Sequence, residues 1–446
     1  MLARVRSWWA DLVDGFWFVP GVTALAYVLL AVAAIRIDRE AGTRGFDFAF
    51  QGDADAARDI LTTIAGSLIT VAGLAFSLTI VVLSLVSSQF SPRAVRSLLA
   101  DRTNQVVAGS FVGIFAYCLV VLRTVRSETS ETSEFVPALG VTVAIVLALI
   151  ALGLLLAFIH NAGTSIQVSR IAARIGGATL EGLDRLYPEP CGAPVSEEAD
   201  PVDGWRSAPA DVVAADRVGF VQAIVLDDLL DVLESSDRRV HVAVRPGDFL
   251  TERTVAVEVW PGGSLSSEQA QQVRRTLVVA EDRDLRQDPA YGLRQLADIA
   301  LRALSPGVND PTTATNCIAY LGAALERLAA RDIPSSVRRD PETGAVVVVR
   351  RWSFEDYARE AFAEIGRYAS DNARVVAAAL GALSKAARAA RRAGAADRIA
   401  VIRRVGDAMA ERALADARTE DDRTEIQLAL ARLEAVSDGI GESTPG

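Results

Sequence analysis

Four stretches near the start of the chain, residues 16–35, 60–86, 106–122 and 136–159, contain no charged side chain. Each is about as long as the roughly 20 helical residues that cross the hydrocarbon core of a bilayer. In lipid every backbone amide must be satisfied internally, so such a series is expected to form four transmembrane helices. The first stretch exceeds the roughly 7–15-residue apolar region of a signal peptide, which points to a retained anchor. Asp11 and Asp14 also interrupt its approach.

Charge divides the chain at the same place. Only 23 of the 102 charged residues lie in the first 165 of 446 positions, and the rest is as charged as a soluble protein. The expected fold class is an α-helical multi-pass membrane domain followed by a cytoplasmic α+β domain that is mainly helical. Residues 1–165 would be the membrane domain and 166–210 an exit helix with a Pro- and acid-rich linker. A small β-rich unit at 211–265 and a mainly helical domain at 266–438 follow, the latter with a hairpin near 336–352. A disordered tail at 439–446 ends the chain. Arg4, Arg6, Arg93, Arg96, Arg102, Arg170 and Arg174 on one side of the four crossings favour cytoplasmic N- and C-termini. Trp8, Trp9 and Trp17 suit the interfacial aromatic belt.

The second crossing is not apolar all round. Alternate steps of four and three from Asp59 reach Thr63, Gly66, Thr70, Gly73, Ser77, Ile80, Ser84 and Ser87. This spacing places all nine residues on one helical face. Leu61, Ile64, Leu68, Val71, Leu78, Val82 and Leu85 lie opposite, suited to lipid or an apolar partner. Two readings of the face stay open. Small and hydroxylated residues let helices pack closely, or they line a water-filled path with Ile80 as an apolar constriction. Asp53, Asp55 and Asp59 suit a helix N-terminus and equally an acidic ring around a symmetry axis. Gly109-x-x-x-Gly113 in the third crossing is a helix-association motif.

Two further segments stand out: Ser87-Ser88-Gln89-Phe90-Ser91-Pro92-Arg93, and Leu304-Ser305-Pro306-Gly307-Val308-Asn309-Asp310-Pro311-Thr312-Thr313-Ala314. With Gln287-Asp288-Pro289-Ala290-Tyr291-Gly292 between them, the chain resembles, over nearly its whole length, a bacterial family known only as predicted membrane proteins of unknown function. The resemblance implies four membrane helices and a soluble domain, and no activity. Asp310 reads as an N-cap with Pro311 at the first helical position, making a rigid helix–turn–helix corner. Alternatively Asn309, Asp310 and Thr313 offer half of a hard-cation shell. Val244-Arg245-Pro246-Gly247-Asp248 resembles a turn of lipoyl- and biotinyl-type sandwiches, but that unit has no lysine to carry a cofactor.

Charge, cysteine spacing and the lack of motifs argue against several classes. A net charge of −10 disfavours nucleic acid as a partner. Cys118, Cys191 and Cys317 form neither a disulfide framework nor a metal spacing. No catalytic motif is present, and His160 and His241 are isolated, so neither an enzyme nor a bound cofactor is expected. The sequence therefore points to an oligomeric ion channel or channel-like transporter with a cytoplasmic regulatory or assembly domain. The competing expectation is a non-conducting scaffold or sensor. Expected partners are the lipid bilayer, further copies of the chain, and an ion or small cytoplasmic ligand.

Overall fold

The computed structural model describes residues 18–41, 49–89, 102–126, 135–165, 168–186, 193–194, 201–233, 238–285, 287–331, 333, 336–339 and 344–439. It comprises two compact units, Met1–Ile171 and Ala172–Gly446.

The first unit is built from α1 (Phe18–Ala41), α2 (Ala54–Gln89), α3 (Arg102–Leu122) and α4 (Ala138–Ser165). All four are long and apolar enough to cross a membrane. The 21 residues of α3 rise about 32 Å, matching a hydrocarbon core of roughly 30 Å. At 36 residues α2 is longer. Its first turns hold the charged residues Asp55, Arg58 and Asp59, as expected at headgroup depth.

Helix α3 is the hub. Phe111, Ile114, Tyr117, Cys118 and Val121 are fully buried among Leu61 of α2 and Val141 of α4. Gly109 and Gly113 bring α1 against it. A Cβ on Gly109 would lie 2.7 Å from the Pro20 Cα, and one on Gly113 2.9 Å from the Ala24 Cα. The association motif is thus used inside the chain, where only missing side chains permit this approach. At one end of the bundle, Asp38 of α1 accepts hydrogen bonds from the Leu139 and Gly140 amides, both at 2.9 Å. A carboxylate there satisfies orphan amides at the positive end of α4. The Tyr117 hydroxyl donates to the Gly140 carbonyl at 3.0 Å. The Phe50 amide donates to Thr142 Oγ1 at 2.8 Å.

The boundary between the units falls within α5 (Val168–Leu186), an amphipathic helix that buries Ala172, Ile175, Thr179 and Leu183. Two sheets follow. Strands β1 (Ala193–Pro194), β2 (Asp211–Ala214), β4 (Arg239–Val242), β6 (Val255–Trp260), β8 (Val337–Arg339) and β9 (Val346–Val349) form one, in the order β1-β8-β9-β4-β6-β2. Strands β3 (Gly219–Ile224), β5 (Phe249–Leu250) and β7 (Leu277–Ala280) form the other, with β3 central. Every pairing is antiparallel except β4 with β9, which sets Val242 opposite Val349. The hairpin near 336–352 therefore completes the sheet begun at 193, which joins the β-rich segment to the helical one in a single unit.

Short helices α6 (Pro201–Trp205), α7 (Leu226–Leu233) and α8 (Ser267–Thr276) decorate the sheets. The remainder is helical: α9 (Pro289–Ala303), α10 (Pro311–Ala330), α11 (Phe354–Tyr368), α12 (Ala373–Arg392), α13 (Ala396–Asp416) and α14 (Glu420–Asp438). Local chemistry marks their starts. Asp288 and Asp310 cap α9 and α10, each followed by a proline at the first position. Ser353 and Thr419 open α11 and α14 with capping boxes closed by aspartates. Helix α12 is central, burying Val375, Val376, Ala379, Leu380, Leu383 and Ala387 against its neighbours.

Candidate functional site

In the membrane unit the face of α2 singled out above turns away from the chain's other helices. Asp59, Thr63, Gly66, Thr70, Gly73, Ser77, Ile80 and Ser84 are all exposed. The Ser87 side chain lies outside the described residues, as do Phe90, Ser91, Pro92 and Arg93, and Gln89 is the last residue of α2. A Cβ on Gly66 or Gly73 would meet no atom within 4 Å. On the opposite side Leu61 and Leu68 are buried, and Ile64, Val71 and Leu78 pack on the same core. The partner for the apolar back is thus the chain's own bundle, and among the described residues the small side chains of the other face are exposed.

Although α2 also exposes the large apolar Ile69, Leu74, Phe76 and Val81, its run of small and hydroxylated residues has no counterpart among the described residues of α4. There the exposed residues include Ile145, Val146, Leu149, Ile150, Leu152, Leu156 and Ile159, a surface that lipid accepts without cost. On α2 the hydroxyls are partly satisfied by their own helix: Thr70 Oγ1 donates to the Gly66 carbonyl at 2.9 Å and Ser67 Oγ to that of Thr63 at 2.8 Å. The three aspartates divide in role. Asp53 Oδ1 accepts from the Ala56 amide at 2.9 Å as an N-cap, and Asp55 pairs with Arg58 at 3.1 Å. Asp59 makes no ion pair among the described residues.

The Ser305 to Thr313 segment forms a tight corner between α9 and α10. The amides of Val308 and Asn309 both donate to the Ser305 carbonyl at 3.0 Å, and the Asp310 amide to that of Ala303 at 2.8 Å. Pro306 is exposed on the outside of this corner. Asn309 has φ 46°, a left-handed conformation that asparagine tolerates. Both Asp310 oxygens are engaged by Thr313, Oδ1 by its amide at 3.0 Å and Oδ2 by its hydroxyl at 2.5 Å. These bonds hold the Asp310 carboxyl below the usual carboxylate range.

The parallel pairing of β4 and β9 creates a second site in the C-terminal unit. Three residues beyond the matched pair Val242 and Val349 stand Arg245 and Trp352, and the Arg245 guanidinium lies 4.2 Å from the centroid of the Trp352 ring. Tyr357 stacks on that ring at 5.4 Å. Together with Leu186, Ile224, Pro289, Arg350 and Arg351 these residues line a pocket of about 110 Å³. Asp288 forms part of its wall, accepting from Arg283 Nε at 2.7 Å and from the Tyr291 amide at 3.1 Å. Burial pushes the Asp288 carboxyl above its usual range, with Arg283 opposing the rise. Gly247, at φ +94°, packs where a Cβ would sit 2.5 Å from Asp288 Oδ2. Sequence spacing signalled the Gly247 turn and the Asp288 segment. It gave no sign of Trp352, because only the strand pairing brings residues 107 positions apart together.

Other polar groups knit the unit. Arg294 pairs with Asp298 on its own helix and with Glu360 and Glu364 of α11, the last at 3.0 Å. His241 Nδ1 lies 2.8 Å from Glu258 Oε2, its cross-strand neighbour. Among the described residues no group of three His, Cys, Asp or Glu is placed to hold a metal.

Four apolar helices followed by a mostly helical unit with some strands define an α-helical multi-pass membrane protein. Residues 14–385 match the family described as "Predicted membrane protein (DUF2254)", and the chain belongs to that family. Uncharacterized proteins of Mycobacterium tuberculosis and Mycobacterium bovis are similar to it. Each is 33% identical over 456 residues, covering 100% of this chain and 85% of the relative. No solved structure matches.

Proposed function

We propose that the protein is an oligomeric ion channel or channel-like transporter of the bacterial inner membrane, without enzymatic activity. Copies meet along α2, and both termini and the C-terminal unit are cytoplasmic, with that unit regulating or assembling the membrane part. The observation that carries this reading is the outward placement of the face from Asp59 to Ser84. A face of glycines and hydroxyls gains little from lipid, and polar faces in membrane proteins generally turn to protein or water. In a ring of copies the same face becomes an axial wall, acidic at Asp59 and narrowed at Ile80.

The alternative is a non-conducting scaffold in which this face only packs copies together. The bonds from Thr70 and Ser67 to their own helix favour it, because hydroxyls satisfied in this way need no water. Ion flux into liposomes holding the purified protein separates the two. Conduction predicts flux that Thr70→Leu strongly reduces without unfolding the protein. Absence of flux in the folded wild type, under every gradient and voltage applied, supports the scaffold.

A further inference from the structure

The pocket between β4, β9 and α9 contains two buried donors that the protein does not satisfy. Arg245 Nε and Trp352 Nε1 are both shielded from solvent and neither makes a hydrogen bond. The nearest carboxylate oxygen to Arg245 Nε is Asp248 Oδ1 at 3.5 Å, too long for a good bond. Leaving a buried donor unmet is costly, and the two lie in one stack on one pocket wall. Three arginines, Arg245, Arg350 and Arg351, line this space against the single carboxylate of Asp288. That carboxylate is already engaged by Arg283 and the first turn of α9. Asp248, behind the wall, sits beside Arg245 and Arg350 at 3.5 and 3.4 Å. Among the described residues, adding Arg283 with its neighbour Glu360 and adding Asp248 leaves four cations against three carboxylates. The pocket is therefore electropositive, while Leu186, Ile224, Leu226 and Val349 make much of its wall apolar. Its size, about 110 Å³, is of the order of the ~150 Å³ cavity that admits benzene.

We propose that this pocket binds a small organic carboxylate with an apolar body. A small shift of the stacked Arg245 and Trp352 side chains would open these shielded donors, one carboxylate oxygen then accepting from Arg245 Nε and the other from Trp352 Nε1, with the body against the apolar wall. Charge-assisted bonds of this kind are the strong ones, and an arginine edge matches a carboxylate well. Binding here does not depend on whether the membrane unit conducts. It has a regulatory corollary, because Leu186 is the last residue of α5, the helix that follows α4 in the chain.

The full chain in detergent is titrated calorimetrically with benzoate, phenylacetate and isovalerate. Inorganic phosphate and benzyl alcohol serve as comparisons. Saturable binding of at least one carboxylate is expected, with neither comparison compound binding as well. Arg245→Gln should abolish it. Trp352→Phe, which keeps the stacked ring and removes only the donor, should weaken it about tenfold or more. Binding unchanged in Trp352→Phe would overturn the assignment, and so would phosphate or benzyl alcohol matching the carboxylates. If none of the three acids binds the folded wild type, the pocket is not a carboxylate site.

Discussion

Asp310 does at residue scale what a capping residue does, and its charge makes the effect titratable. Its two oxygens take the amide and hydroxyl of Thr313. Asp310→Ala should destabilise the C-terminal unit by about 1 kcal/mol, the usual worth of an N-cap. Because the folded carboxyl is depressed by these bonds, its ionic contribution is complete above the ordinary carboxylate range. It is lost as pH falls through the lower folded value. Thermal midpoints of wild type and variant should therefore lie furthest apart at neutral pH and converge in acid. Cys317 sits nearby with its thiol pushed up to about 12 by burial, the Asp310 charge adding to the effect. It should stay unreactive toward maleimide until the protein unfolds. Gly247 is stricter. An alanine there meets both an unfavourable φ and the Asp288 carboxylate, so Gly247→Ala should cost about 1–3 kcal/mol, read from the same melts.

At the scale of elements, a glycine of α3 and a glycine of α4 separate interior packing from exposed surface. Gly113→Leu must push α1 away from the hub of the bundle and should cost about 1–3 kcal/mol or more by overpacking. Gly153→Leu on α4 is the matched control, since a Cβ there meets nothing within 4 Å. Unfolding in mixed detergent should resolve the first from wild type and leave the second close to it.

The membrane elements were legible because apolar length alone specifies them, and α10 because Asp310-Pro311 marks its start. Strands β1, β2, β5 and β7 were missed, β1 within the stretch read as linker. They are two to four residues long, and their partners are remote, so pairing rather than local pattern creates them. The face of α2 was readable as periodicity, but its direction was not. Periodicity shows that two faces differ; which one meets the bundle depends on the size of the residues on α3 and α4. The donors of the pocket were invisible for a related reason, since Arg245 and Trp352 meet only through the register of β4 on β9.

At the scale of the whole molecule, symmetry turns the exposed α2 face into a test of assembly. Copies inserted in the same orientation share an axis along the membrane normal, so a residue on that axis meets its own counterpart at the same depth. Cys118 and Cys317 are buried, so in a Cys191→Ser background single cysteines at Gly73, Ile80 and Leu149 can be compared in native membranes. A disulfide requires Cα atoms about 4.4–6.8 Å apart. If the α2 faces pack directly, Gly73→Cys should crosslink on oxidation and resist a water-borne maleimide. If they wall a wet path, Gly73→Cys should react with the maleimide and crosslink poorly, while Ile80→Cys, at the narrowing, should crosslink. Either pattern requires Leu149→Cys, on the uniformly apolar face of α4, to do neither. Efficient crosslinking through Leu149 would place the contact between copies on α4 and remove α2 from any shared axis.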